Sequence, residues 1–257
     1  MLALVLMPAG SSAGENGVAA TWARAHVALP RLAAGLRPVL GLVGDAEVQA
    51  ALAAVPGAAV SVPAVLLMHG CSGIGAEEES AKLFLMDSGF PVFMPDSFAR
   101  RGRQANCAVR TARTALAPGV PYLRLEEIDY ALAAMASLGF VERVFLVGYS
   151  EGGLAVASVE RSPLPISGIV VLAWHCQGRE PHVGIKAAPE VPALTVIGDN
   201  DPWYKARAGR HCGEVFGARK QATSLVLPGN GHAVFTSSSP ANAARAQDAI
   251  RTFLKAN

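Results

Sequence analysis

Gly148-Tyr149-Ser150-Glu151-Gly152 has the residue types and spacing to set a serine hydroxyl to work as a nucleophile. The apolar run Val144-Phe145-Leu146-Val147 precedes it and Gly153-Leu154-Ala155-Val156-Ala157 follows, so the serine falls between a buried-strand pattern and a helix pattern. A serine on a sharp strand-to-helix turn lifts its hydroxyl above the sheet edge. The turn crowds its neighbours, which is why small residues stand two positions before and after it. The helix that follows aims its first amides and the positive end of its dipole at the reacting centre.

A weak nucleophile of this kind needs a base, and the base needs an orienting acid. Val191 to Ile197 reads as a short buried strand that runs into Gly198-Asp199-Asn200-Asp201-Pro202-Trp203. A carboxylate just past a strand end reaches the same sheet edge as the serine. Asp201 is favoured as the acid, because it lies deeper in the loop and Pro202 rigidifies the turn after it. Asp199 is expected to cap or shape the turn through its side chain. Ser224 to Leu227 reads as the next strand, followed by Pro228-Gly229-Asn230-Gly231-His232. Of the six histidines only His232 follows this last strand. The chain order Ser150, Asp201, His232 suits nucleophile, acid and base in acyl transfer.

Acyl transfer also needs donors aimed at the developing oxyanion. One is the amide of the residue after the nucleophile, Glu151. The other is expected from the loop His69-Gly70-Cys71-Ser72-Gly73, which follows the strand pattern Pro63 to Met68; the amide of Cys71 is the candidate. Both contributions come from backbone, so the Glu151 carboxylate is expected to face solvent, and His69 to brace its loop. Tyr149, Trp174 and Trp203 flank the catalytic loops and are candidate walls for an apolar acyl or aryl group. Arg101, with Arg100 and Arg103, is a candidate for a substrate carboxylate, with at least two of the three expected in solvent.

The elements that must position these residues alternate. Val39–Val43 and Val48–Val55 read as an opening hairpin with Gly44-Asp45 at its turn. Residues 76–88 read as a helix with glutamates at its start, Pro91 to Pro95 as a strand, and Tyr122 to Leu138 as a helix with an apolar stripe at Leu125, Ile128, Leu132 and Met135. Ile166 to Trp174 reads as a strand and Ala241 to Lys255 as a closing amphipathic helix. Gly17 to Leu36 has helical composition interrupted by Pro30. Strands alternating with crossover helices imply an α/β fold with a mostly parallel central sheet and helices on both faces, active residues gathering at the strands' carboxyl ends.

The 257 residues, 51% hydrophobic and 16% charged, suit one compact domain over residues 37–257, with residues 1–36 as a leader and N-terminal segment. A formal charge of +2 offers no case for nucleic acid, and no apolar run is long enough to span a bilayer. Met1 to Met7 is apolar and Ser11-Ser12-Ala13 offers small residues, a pattern compatible with a signal peptide but lacking its positively charged start. Export to the periplasm or medium is the expectation, a cytoplasmic location the alternative. Four cysteines permit two bridges in three connectivities. In an exported protein the expected pairs are Cys71–Cys107 and Cys176–Cys212, with Cys212 in the helix after Asp201; in a cytosolic one all four would be reduced thiols. No metal-binding spacing is present.

Four motifs together resemble the dienelactone hydrolase family of α/β-hydrolases across about residues 37–257: His69 to Gly73, Asp96 to Gly102, Gly148 to Gly153, and Gly198 to Trp203 with His232. The chain is most similar to an exported branch with paired cysteines. The resemblance implies an α/β-hydrolase fold, Asp201 as acid and Cys71 as oxyanion donor. Two positions depart from the family pattern. Serine replaces the family's cysteine at 150, and Gly70 stands where the family places a glutamate that helps switch on the thiol. A serine triad suits general hydrolysis of a small carboxylic ester or lactone better than dienelactone itself, with no cofactor. Peptidase, amidase or acyltransferase chemistry on the same triad, or a non-catalytic binding role, are the alternatives.

Overall fold

The computed structural model describes residues 17–103, 107–108, 113–114, 119–178 and 182–257. In chain order the elements are α1 (Val18–Ala23), β1 (His26–Leu29), β2 (Val39–Leu42), α2 (Ala46–Ala54), β3 (Val62–Met68), α3 (Ala76–Asp87), β4 (Val92–Met94), β5 (Cys107–Ala108), β6 (Arg113–Thr114), α4 (Val120–Ala136), β7 (Val141–Tyr149), α5 (Glu151–Ala157), β8 (Ile166–Leu172), β9 (Ala193–Gly198), α6 (Pro202–Ala206), β10 (Ala222–Leu227) and α7 (Pro240–Ala256). The expected signal-peptide region lies outside the described residues.

Among the described residues, one eight-stranded sheet runs in the order β10-β9-β8-β7-β3-β4-β1-β2. Every pair from β10 to β4 is parallel, and β1 pairs antiparallel with both β4 and β2. This is the α/β-hydrolase fold. The central strands read as continuous apolar runs because both faces are covered. Along β7, Val144 and Leu146 join one core with Ile128, Leu132 and Met135 of α4, whereas Phe145 and Val147 join another with Leu85 of α3 and Ile250 of α7. Strand alternation therefore feeds two layers, and the helices on each face close them.

Two expectations at the start of the chain are corrected. Residues 46–54 form α2, not a strand. Their alanine-rich composition favours helix, and Val48, Leu52 and Val55 fall on one helical face and are buried. The partner of β2 is instead β1, in the register His26↔Leu42 to Leu29↔Val39. Residues 26–29 are therefore a strand inside the sheet, and the segment ahead of residue 37 helps to build the domain instead of leading into it. Pairing on both sides overrides the local helical composition, and Pro30 stands just past the last paired residue.

Disulfides join Cys71 to Cys107 and Cys176 to Cys212, each across 36 positions. Cys212 sits in a short 3-10 turn, residues 212–214, and not in the helix after Asp201. Among the described residues no helix is long and apolar enough to cross a membrane. Removing the second bridge by Cys176→Ser with Cys212→Ser is expected to cost about 3–4 kcal/mol by loop-closure entropy. Urea unfolding under non-reducing conditions checks this, and an unchanged midpoint would contradict it.

Candidate active site

Ser150 sits between β7 and α5 with φ 55° and ψ −113°, a left-handed conformation that L residues rarely adopt. The turn is so tight that a Cβ on Gly148 would lie 2.1 Å from the Gly152 carbonyl oxygen, and a Cβ on Gly152 would lie 2.0 Å from the Met68 carbonyl oxygen. Both neighbouring glycines are thus required by backbone contact. The Ser150 amide donates to the Leu172 carbonyl at 2.8 Å, which ties the strained residue to β8.

His232 bridges the other two candidate residues. Its Nδ1 lies 2.6 Å from Asp201 Oδ2, and its Nε2 lies 3.0 Å from Ser150 Oγ. With the Nδ1 proton donated to the carboxylate, Nε2 is left as acceptor for the serine hydroxyl. Asp201 is fully buried and its Oδ1 accepts the Trp203 amide at 2.8 Å, so it caps α6 as well as gripping the imidazole. Asp199 does something different: its Oδ1 accepts the Gly229 amide at 2.7 Å and ties the two loops together.

Cys71 and Glu151 line a cleft with Ser150, Leu154, Ala173, Trp174 and Trp203. Glu151 is the first residue of α5, so its amide has no partner within the helix. Of the three aromatic candidates, Trp174 and Trp203 wall the cleft, and the Trp203 ring centroid is 4.5 Å from that of His232. Tyr149 packs against the imidazole at 5.1 Å, and its hydroxyl donates to the His232 carbonyl at 3.4 Å. Burial, with Glu77, Glu78 and Asp201 nearby, pushes the Tyr149 phenol well above its ordinary range and keeps it a donor. Arg101 is exposed and is not among the residues lining the cleft.

The Glu151 carboxylate does not face solvent. Its side chain is 2% exposed, paired with Arg103 and 3.7 Å from Arg124 Nε. Arg103 is 1% exposed at its side chain and Arg100, at 16%, pairs with Glu126, so only Arg101 of the three arginines is solvated. Sequence reading passed over Arg124, which looks like a surface residue on an amphipathic helix. It is fully buried, donates to the His69 carbonyl at 2.7 Å and to Glu127 at 3.0 Å. His69 braces this layer. Its Nδ1 donates to the Gly70 carbonyl at 2.7 Å and its Nε2 accepts the Ser97 amide at 2.9 Å. Burial, followed by the Arg124 charge, holds it neutral. Among the described residues no group of three or more His, Cys, Asp or Glu is placed to hold a metal ion.

A sequence profile of the dienelactone hydrolase family matches residues 49–256. The chain belongs to the dienelactone hydrolase family. No curated protein matches it. A solved structure of a candidate dienelactone hydrolase from Klebsiella pneumoniae subsp. pneumoniae MGH 78578 aligns with TM-score 0.58 at 16% identity, over 78% of this chain and 89% of that one. Esterase PE8 aligns with TM-score 0.55 at 19% identity, over 77% and 94%. A phospholipase/carboxylesterase from Dyadobacter fermentans DSM 18053 aligns with TM-score 0.52 at 18% identity, over 76% and 90%. These likenesses carry the fold. The chain carries serine at position 150, and it has no side chain at Gly70, where a Cβ would lie 3.1 Å from Tyr149 Cδ1.

His175, one residue beyond the Trp174 wall, is 2% exposed and accepts the Gln177 amide at Nδ1. Burial, and next Arg207, pull its pKa down from 6.5 to about 4, against an opposing pull from Asp201. The unfolded chain therefore binds more protons between those values. Stability should decline as pH falls from about 6.5 to about 4, by at most about 1.4 kcal/mol per pH unit from this group. Urea midpoints across that range check it. The decline should be shallower in His175→Asn, and a flat wild-type profile would contradict it.

Proposed function

We propose that the protein is a serine carboxylic ester hydrolase acting on small neutral esters or lactones through an acyl-enzyme. The observation that carries this reading is the single imidazole of His232 within hydrogen-bond reach of both Ser150 Oγ and Asp201. Ser150 attacks the ester carbonyl as His232 Nε2 takes its proton. Asp201 fixes the imidazole tautomer and stabilises the imidazolium. The tetrahedral oxyanion is received by the amides of Cys71 and Glu151, each such donor being worth about 3–4 kcal/mol of barrier. Collapse expels the alcohol, which takes the proton back from His232. Water, deprotonated by the same imidazole, then releases the acid and restores Ser150.

Cleft chemistry supports a neutral acyl group. Leu154, Ala173, Trp174 and Trp203 are its walls, and the nearby Arg103 is already paired with Glu151. Two disulfides are the mark of an oxidising compartment, and they support export to the periplasm or medium.

Turnover of p-nitrophenyl butyrate tests the proposal. Ser150→Ala should abolish it, and Asp201→Asn should lower kcat by about 10³- to 10⁴-fold, as loss of the orienting acid does in other triads. Asp199→Ala should leave most activity. Butyrate release should far exceed cleavage of the matching anilide, and added alcohols should not capture the acyl group. Wild-type turnover persisting in Ser150→Ala would overturn the assignment.

A further inference from the structure

Two adjacent glutamates in the first turn of α3 are buried, Glu77 at 8% and Glu78 at 5% exposure, and the chemistry above uses neither. Glu77 reaches across to the segment just after His232. Its Oε1 accepts the amides of Val234 and Phe235, each at 2.7 Å. Its Oε2 accepts the Thr236 amide at 2.8 Å and the Thr236 hydroxyl at 2.7 Å. Four donors from three consecutive residues thus converge on one carboxylate. Glu78 turns to the other loop. Its Oε1 accepts the Gly70 amide and its Oε2 the Gly75 amide, both at 3.0 Å, so it spans the two ends of the loop that carries Cys71.

Burying two neighbouring carboxylates is costly unless every oxygen is satisfied, and an apolar pair would pack there without that cost. What the carboxylates supply is geometry, since charge-assisted bonds to backbone amides fix a loop's path more tightly than packing does. The groups facing His232 are Asp201, Ser150 and the rings of Tyr149 and Trp203. None of them holds the main chain of the segment beyond it as Glu77 does.

We propose that Glu77 and Glu78 are positioning residues for the reaction, Glu77 aligning the His232 loop and Glu78 the Cys71 loop, so that one helix start sets base and oxyanion donor relative to each other. The inference rests on the triad reading above. Neither residue touches substrate; each acts through the loop it holds.

The test uses Glu77→Gln and Glu78→Gln in the full chain, with p-nitrophenyl butyrate and thermal unfolding measured together. Glutamine keeps the volume but offers one acceptor oxygen and an opposing NH2. In Glu77→Gln, kcat should fall about 10- to 100-fold with KM little changed. The acid limb of its kcat/KM profile should move to lower pH, because His232 loses its alignment on Asp201. Glu78→Gln should slow kcat similarly, leave that limb in place and weaken binding of a butyl trifluoromethyl ketone, which needs the oxyanion donors. Folded variants with wild-type kcat, pH limb and ketone affinity would overturn the inference. Should Glu77→Gln not fold, Thr236→Val removes one of the four bonds and should move kcat and the limb the same way by a smaller factor; no change there overturns it equally. The low-field His232 Nδ1 proton resonance reads the alignment without turnover and should shift in Glu77→Gln. An inactive wild type with that shift refutes the triad reading and leaves the alignment standing. An active wild type without the shift refutes the alignment alone.

Discussion

The site depends on the close approach of backbone to backbone at the turn that carries Ser150. Gly152 must pass so close to the Met68 carbonyl, and Gly148 so close to the Gly152 carbonyl, that neither position tolerates a Cβ. That approach forces Ser150 into a left-handed conformation, which costs on the order of 1–2 kcal/mol for an L residue. Hydrogen bonds across the flanking parallel strands and burial in both core layers offset it. In return the hydroxyl stands proud of the sheet, and α5 begins one residue later with the amide of Glu151 outside the helix's own hydrogen bonds. The same contact fixes the end of β3 against the turn, so the loop that follows starts beside the serine at a place set by main chain.

Around this turn the protein lays a buried ionic layer where an apolar one would pack without a desolvation penalty. Arg124 and Glu127 are fully buried, and Arg103 and Glu151 nearly so. Arg124 links this layer to the loop after β3 through the His69 carbonyl and to the start of α5 through Glu151, and His69 in turn accepts the amide of Ser97. The Cys71–Cys107 disulfide adds a covalent tie, and it leaves from the same stretch of chain that carries Arg103. Side chains of both candidate oxyanion residues are therefore anchored, Cys71 to Cys107 by a disulfide and Glu151 to Arg103 by an ion pair. The second disulfide serves the opposite wall. Ala173 and Cys176 both take positive φ without being glycine, and Trp174 and His175 lie between them. Cys176–Cys212 holds that strained bend, and with it the indole that walls the cleft.

Much of this was legible in the sequence because the signals were local. A parallel sheet covered on both faces shows itself as apolar runs, so β3, β7, β8, β9 and β10 could be read directly, and with them the loops that bring Ser150, Asp201 and His232 to one edge. The acidic loop could be parsed in part: Pro202 marks a rigid turn after Asp201, but the cap of α6 is Asp201 itself and not Asp199. What could not be read depended on partners distant in sequence. Residues 26–29 are a strand only because β4 and β2 flank them. Val48 and Val55 suggest a strand over residues 48–55, and spacing on one helical face outweighs that preference. Glu151 has the address of a solvated first-turn acid, and only the arrival of Arg103 and Arg124 makes its burial possible. Likewise, nothing local distinguishes Glu77 and Glu78 from the ordinary acidic start of a helix, because their hydrogen-bond donors are in loops brought up by the fold.

The central claim is that Ser150 carries the acyl group during turnover. Rapid acid quench of wild-type protein mixed with p-nitrophenyl butyrate, followed by peptide mass mapping, tests it most directly. A butyryl group on the peptide containing Ser150, formed before steady-state release and absent from Ser150→Ala, is the expected result. Turnover with no acylated peptide, or with the butyryl group on another residue, would contradict it.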